Sequence, residues 1–251
     1  MAFASRIPAG MVSGLLALLL WQVLASYGPI SDSTIPTAGE SLVSLWGLLW
    51  EPETWASLWA TMQMAVIGFV IAIAIAIPVG VLIGLSRFAY RSTKFTFDFF
   101  KVIPPIVIIP ITILVFGPTI QMGVFLVAFS IVFALAIQTA YGVRDADPVL
   151  LDTMRAYGLG TVMQVRYARL PSAAPFIAVG LRISASAALI VSVVAGLLGG
   201  APGLGRDLQL AQAGGQSART FALVLLLGIL GILVSRGITI LQRRIAFWIP
   251  A

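Results

Sequence analysis

Long apolar runs alternate with short polar interruptions along this chain, and the runs set most of the predicted elements. The pattern predicts membrane spans over residues 10–26, about 60–85, 99–117, 120–141, about 174–198 and about 220–241. They match the roughly 20 residues that cross about 30 Å of hydrocarbon. Pro78 and Gly80 would bend the second span, and Pro104, Pro105 and Pro110 crowd the third. The first run follows Arg6 and also has the look of a signal peptide, but Trp21, Gln22 and the lack of a small-x-small ending favour a retained helix.

Between the first two spans, residues 31–53 carry Asp32, Glu40, Glu51 and Glu53 and no Lys or Arg. Within them, Leu42, Leu45, Trp46, Leu49 and Trp50 share one side of a helix over 39–50. Tryptophans on such a face sit at headgroup depth, so this helix should lie in the interface. Residues 199–216 read as a glycine-rich loop.

The long polar interruption is 147–171. Asp147-Pro148 is a helix start, with a side-chain acceptor followed by a proline whose missing N–H costs nothing there. Val149, Leu150, Thr153, Met154 and Tyr157 then make an apolar stripe at helical spacing. Gly158 and Gly160 end it. Thr161 and Gln164 read as a capping box opening a second short helix, which Pro171 and Pro175 should close. The expectation is two short helices joined by a glycine turn, carrying an exposed apolar knob.

Composition narrows the class. Of 251 residues, 60% are hydrophobic and only 10% charged, so lipid must be the main solvent. The chain has no Cys and no His, which removes thiol and histidine chemistry and the usual zinc sites, leaving no catalytic or metal-ligating set. An intramembrane enzyme would need convergent acids that the spans lack. No Gly-x-x-x-x-Gly-Lys-Ser/Thr loop is present to hold ATP.

The net charge of +6 is a topology signal. Arg6, Arg87, Arg91, Lys94, Lys101, Arg144, Arg155, Arg166, Arg169, Arg243 and Arg244 fall on one side, against Arg206 and Arg219 on the other. That asymmetry puts both termini and the polar loop in the cytoplasm. It also accounts for the basic balance through anionic lipid, without nucleic acid.

Polar residues inside the spans are the candidates for a solute path: Gln63, Gln121, Gln138, Arg182 and Ser186, with Pro104 and Pro110 shaping it. The commoner role of such residues is interhelical hydrogen bonding or small-residue packing. Arg182 reads first as an anchor snorkelling to the interface, because a lipid-facing central arginine costs about 2.5–3.5 kcal/mol.

The loop resembles the cytoplasmic loop of ABC importer permeases, whose usual form is Glu-Ala-Ala, three residues, Gly, nine residues, Ile, one residue, Leu-Pro. Here Asp152-Thr153-Met154, Gly158, Ala168 and Leu170-Pro171 occupy those positions. Ile35-Pro36-Thr37 with Glu40-Ser41-Leu42, the stretch KVIPPIVIIPITILVFG from Lys101, Gly180-Leu181-Arg182, and Gly199 to Gly205 are similar to permeases of the nitrate, sulfonate and taurine group. Gly196 stands where that group generally has an acidic residue.

The resemblance implies an all-α integral membrane protein with the type I importer permease fold. That fold has six transmembrane helices, an outer amphipathic helix and a cytoplasmic coupling-helix loop. Residues 1–27 would be the first helix, 28–59 the outer loop and 60–251 the permease core, with the coupling loop at 142–172. Leu150, Asp152, Thr153, Met154, Arg155, Ala156, Tyr157 and Gly158 would contact an ATPase subunit. Leu150, Met154 and Tyr157 would insert into it, while Asp152 and Arg155 set the orientation. Gly160, Leu170 and Pro171 would frame the loop. The implied partners are ATP-binding-cassette ATPase subunits holding ATP and Mg, a second permease subunit, and an extracytoplasmic solute-binding protein, at a bacterial inner membrane. The implied solute is a small anion or small organic molecule: a sulfonate, taurine, nitrate, an aromatic carboxylate or a pyrimidine-like compound. A channel or secondary transporter is the other class, but no internal repeat supports it.

Overall fold

The computed structural model describes residues 9–27 and 35–245, all helical or connecting. Arg6 and residues 28–34 lie outside that range. In chain order the helices are α1 (Ala9–Tyr27), α2 (Ala38–Leu48), α3 (Pro52–Leu85), α4 (Arg87–Val102), α5 (Pro105–Phe116), α6 (Ile120–Arg144) and α7 (Pro148–Ala156). They are followed by α8 (Thr161–Gly199), α9 (Leu204–Ala213) and α10 (Ser217–Ile245). Among the described residues, four helices (α3, α6, α8 and α10) are long and apolar enough to cross a membrane, or five crossings if the bent pair α4–α5 is one.

Three helices make the core. Met64, Gly68, Ala72, Ala76, Gly80 and Gly84 recur every fourth residue on α3 and are all buried. This stripe lies along α6, with Gly68 against Val127, Gly80 against Ala136 and Gly84 against Val143, so α3 and α6 run parallel. A Cβ added at Gly80 would stand 2.4 Å from the Ala136 carbonyl oxygen, so only glycine permits this approach. On its other side α6 meets α8 antiparallel, Gly142 packing on Ala173 and Gly180 on Leu135.

The expected third span is not one helix. α4 and α5 meet at an 85° bend across Ile103-Pro104. Pro104 and Pro105 break the ladder, because each lacks an N–H and each pushes the residue before it out of helical conformation. α5 alone has 12 residues, about 18 Å, and is too short to cross. Arg87, Arg91 and Lys94, expected in a connecting loop, open α4 instead. That helix lies antiparallel on α6 through an aromatic ladder: Tyr90 on Tyr141, Phe97 on Phe133, and Phe100 stacked on Phe133 at 5.0 Å. Lys101 therefore sits near the middle of α6 rather than at an edge, paired with Asp98 at 2.6 Å.

The glycine-rich loop is likewise mostly helix, α9. Thr61 Oγ1 accepts from the Leu204 N–H at 2.9 Å and caps it. Gly196, at the position where an acid would be usual, faces the α9 backbone so closely that a Cβ would meet Arg206 N at 2.9 Å. α2 has the expected start, a capping box between Thr37 and Glu40. Its apolar side divides: Leu45, Leu48 and Leu49 pack inward with Leu204 and Leu223, while Trp46 and Trp50 stand exposed beside Trp55.

Candidate functional site

Beyond α6 the chain turns through Asp145 and Ala146 into α7. Asp147 caps it, Oδ1 accepting from Val149 N–H at 2.8 Å, with Pro148 in the first turn. The far end is a Schellman turn: Leu159 N–H donates to Met154 O and Gly158 N–H to Arg155 O, both at 2.9 Å. Gly158 takes φ +74, which strains any L side chain.

The stripe read from the sequence does not stay on one side: its Met154 is buried, joined by Leu151 from outside the stripe. Met154 and Leu151 point inward, each 7% exposed, and pack with Ala146, Ala168 and Leu159. Met154 is thus not part of the exposed knob, which corrects the expectation. The exposed apolar side chains are Val149, Leu150 and Tyr157, the last 81% exposed. Asp152 and Arg155 are exposed and bond to each other at 2.7 Å. Thr153 bonds back to Val149 O, and Ala156 is exposed.

No second short helix follows. Gly160, not Thr161, is the N-cap of α8, no side-chain cap forms, and Gln164 Nε2 donates instead to Leu159 O at 3.0 Å. Pro171 and Pro175 do not close the helix, which runs on to Gly199. A π-helical turn at Val165–Arg169 widens the ladder, Leu170 N–H donating to Val165 O, and so admits the proline without a break. Leu170 and Pro171 lie on the exposed side of that turn. The loop helix is therefore braced by buried side chains against the first turns of one 39-residue helix.

The candidate path residues are spread over α3, α6, α8 and the bent pair α4–α5. Gln63 and Gln138 are half-buried, and Gln138 packs on Gly180. Gln121, Pro104 and Pro110 are exposed on α6 and the bent pair. Arg182 Nε donates to Gln242 Oε1 at 3.0 Å, and Gln242 in turn donates to Ala178 O, which ties α8 to α10 as an anchor would. Ser186 lines an apolar groove between the same two helices, about 420 Å³ in volume.

Two features escaped the sequence reading. Glu51, at the start of α3, takes two hydrogen bonds from Arg219, at 2.9 and 2.6 Å. At the opposite end, Arg87, Arg144, Arg155 and Arg169 surround one cavity of about 440 Å³ beside α7. Their separation in sequence hides both.

The family model described as "Binding-protein-dependent transport system inner membrane component" matches residues 76–247, more than half of the chain. The chain belongs to that family. This permease is 31% identical over 245 residues to the "Putative aliphatic sulfonates transport permease protein SsuC" of Escherichia coli (strain K12), covering 98% of this chain and 91% of the relative. It is 23% identical to the "Nitrate import permease protein NrtB" of Leptolyngbya laminosa, covering 90% of this chain and 83% of that one. Among solved structures, an inward-facing MetNI methionine ABC transporter chain superposes with TM-score 0.68 at 24% identity. That match covers 77% of this chain and 98% of the other, and it supports the fold alone. The protein is a multi-pass ABC importer permease of the nitrate and sulfonate group, and its relatives are transport proteins rather than enzymes.

Proposed function

We propose that this permease is half of the solute path of a type I importer and is driven by a separate ATPase subunit that grips α7. The observation that carries the reading is the division of α7 into a buried side, Leu151 and Met154, and an exposed apolar side, Val149, Leu150 and Tyr157. An exposed apolar face on a short capped helix suits insertion into a groove. The buried side turns a push on α7 into a displacement of α8, and packed helices answer such a push by moving between discrete arrangements.

In this reading α1 and the bent pair α4–α5 complete six crossings, both termini are cytoplasmic, and α2 lies on the outer surface of a bacterial inner membrane. Two ATPase subunits supply ATP and Mg, a second permease subunit completes the path, and a binding protein delivers the solute from outside. Lipid-level spans without an ATP-binding loop fit this division of labour. The names of the relatives favour a small oxyanion, a sulfonate or nitrate, as the solute.

The test is reconstitution of the full-length chain with the subunits that copurify. Uptake that needs ATP, and that falls about tenfold in Tyr157→Ser with the chain still inserted, is the expected result. Solute movement without nucleotide hydrolysis would instead make the protein a channel.

A further inference from the structure

The cavity beside α7 carries more positive charge than the coupling role uses, because Arg87, Arg144 and Arg169 have no part in that role. Four guanidinium groups (Arg87, Arg144, Arg155 and Arg169) and one carboxylate, Asp152, line it, together with Gly84 and Leu85 from the end of α3. Asp152 is already bonded to Arg155 at 2.7 Å. Arg87 has no hydrogen-bond or ion-pair partner among the described residues. Arg144 stacks over the Tyr90 ring at 4.3 Å and has no hydrogen-bond or ion-pair partner among the described residues. Arg169 donates only a long bond, 3.4 Å, to Val143 O. Its Nε is buried and unpartnered, and the charges acting most strongly on it are Arg155 and Arg144, both of its own sign.

A buried N–H without an acceptor is unfavourable, and like charges gathered in a cavity add to that cost. The arrangement is relieved by one ligand class, a compact anion with several acceptor oxygens. Guanidinium forks match phosphate in geometry as well as charge. Gly84 and Leu85 end an apolar span, so the cavity opens at the depth of lipid headgroups, where basic pockets between helices bind anionic lipid.

We infer that this cavity is an oxyanion site taking a phosphate group, either from an anionic phospholipid headgroup or free in solution. The bound group joins α4, α6, α7 and α8 through one arginine from each and holds the loop helix to the bundle. The site stands on its own geometry and does not require the coupling role to be correct.

The experiment uses the full-length chain, purified with its copurifying subunits and delipidated. Native mass spectrometry counts bound phosphatidylglycerol against phosphatidylcholine, and thermal unfolding is followed in inorganic phosphate against chloride at matched ionic strength. The expected result is one retained phosphatidylglycerol per chain, displaced by phosphate, with binding weakened about five- to tenfold in Arg144→Gln and in Arg169→Gln, the effect of one basic side chain. Arg206→Gln, at the opposite end, should leave it unchanged. Stabilisation by phosphate without preference for phosphatidylglycerol also supports the site and assigns it to an anion from solution. Should Arg169→Gln fail to fold, Arg144→Gln and the wild-type competition between phosphate and lipid still decide. No preference for either anion, binding untouched by the loss of Arg144, or binding lost in the assembled complex would overturn the proposal. Mass and melting are the readouts, so a failure of ATP-driven uptake would not be mistaken for a failure of the site.

Discussion

The carboxylate of Glu51 and the guanidinium of Arg219 face each other in a two-bond fork, at 2.9 and 2.6 Å, although 168 residues separate them. The pair joins the N-terminus of α3 to the first turn of α10, and the hydrogen bonds from Arg219 hold the Glu51 carboxyl below its ordinary value of 4.5. A depressed carboxylate contributes stability that is present above 4.5 and lost as pH falls through its lower folded value. Both side chains are more than a third exposed, so screening limits the contribution to about 1 kcal/mol or less. Glu51→Gln should therefore lower thermal stability slightly at pH 7, and the difference should vanish once the pH has fallen well below 4.5 and wild type has itself lost the charge. Unfolding scans across that range check it.

The parallel seam of α3 and α6 should tolerate no side chain at Gly80. Gly80→Val would force a Cβ into the Ala136 carbonyl, with a penalty above the about 1–3 kcal/mol of ordinary overpacking because backbone cannot yield. Gly47→Val, where nothing lies within 4 Å, is the control and should fold normally. Detergent-resistant folded yield separates the two.

The seam shows what a linear reading could and could not find. Apolar length revealed α3, α6, α8 and α10, because a run long enough to cross lipid needs no partner to be recognised. Thr37 with Glu40 revealed the start of α2. Pro171 and Pro104-Pro105 were alike on paper but differ in outcome: one proline is absorbed by a π turn, while two in succession fold the chain through 85°. Helical spacing grouped Met154 with Tyr157, but which side of α7 turns inward depends on Ala168, fourteen residues on, and periodicity carries no such information. The four arginines of the cavity come from four separate helices.

Gly158 should act through its backbone. Nothing lies within 4 Å of it, so Gly158→Val meets no obstacle, yet φ +74 costs a branched residue about 1–2 kcal/mol. ATP-driven uptake should fall severalfold with insertion intact, and Gly158→Asn, which accepts that φ more readily, should retain most of it. Equal uptake in both would show that the turn carries no force.

Met154 and Tyr157 should fail differently. Met154→Ala removes a buried side chain, loosening α7 from α8 by about 2 kcal/mol and exposing the loop to protease. Tyr157→Ser changes an exposed side chain and should move stability by less than about 0.5 kcal/mol. Its uptake should nonetheless drop about tenfold, as the loss of an aromatic anchor at an interface does. Limited proteolysis beside uptake distinguishes the two routes.

Because the native chain has no cysteine, a single thiol at Tyr157→Cys reports on one place only. Cross-linking from that thiol in membranes holding the assembled transporter is the most direct measurement. The expected product is an adduct with an ATP-binding-cassette subunit whose yield changes when nucleotide is added. A thiol that reacts in intact cells with an impermeant reagent, or that yields no protein adduct in either nucleotide state, would contradict the assignment of α7 as the point where force enters.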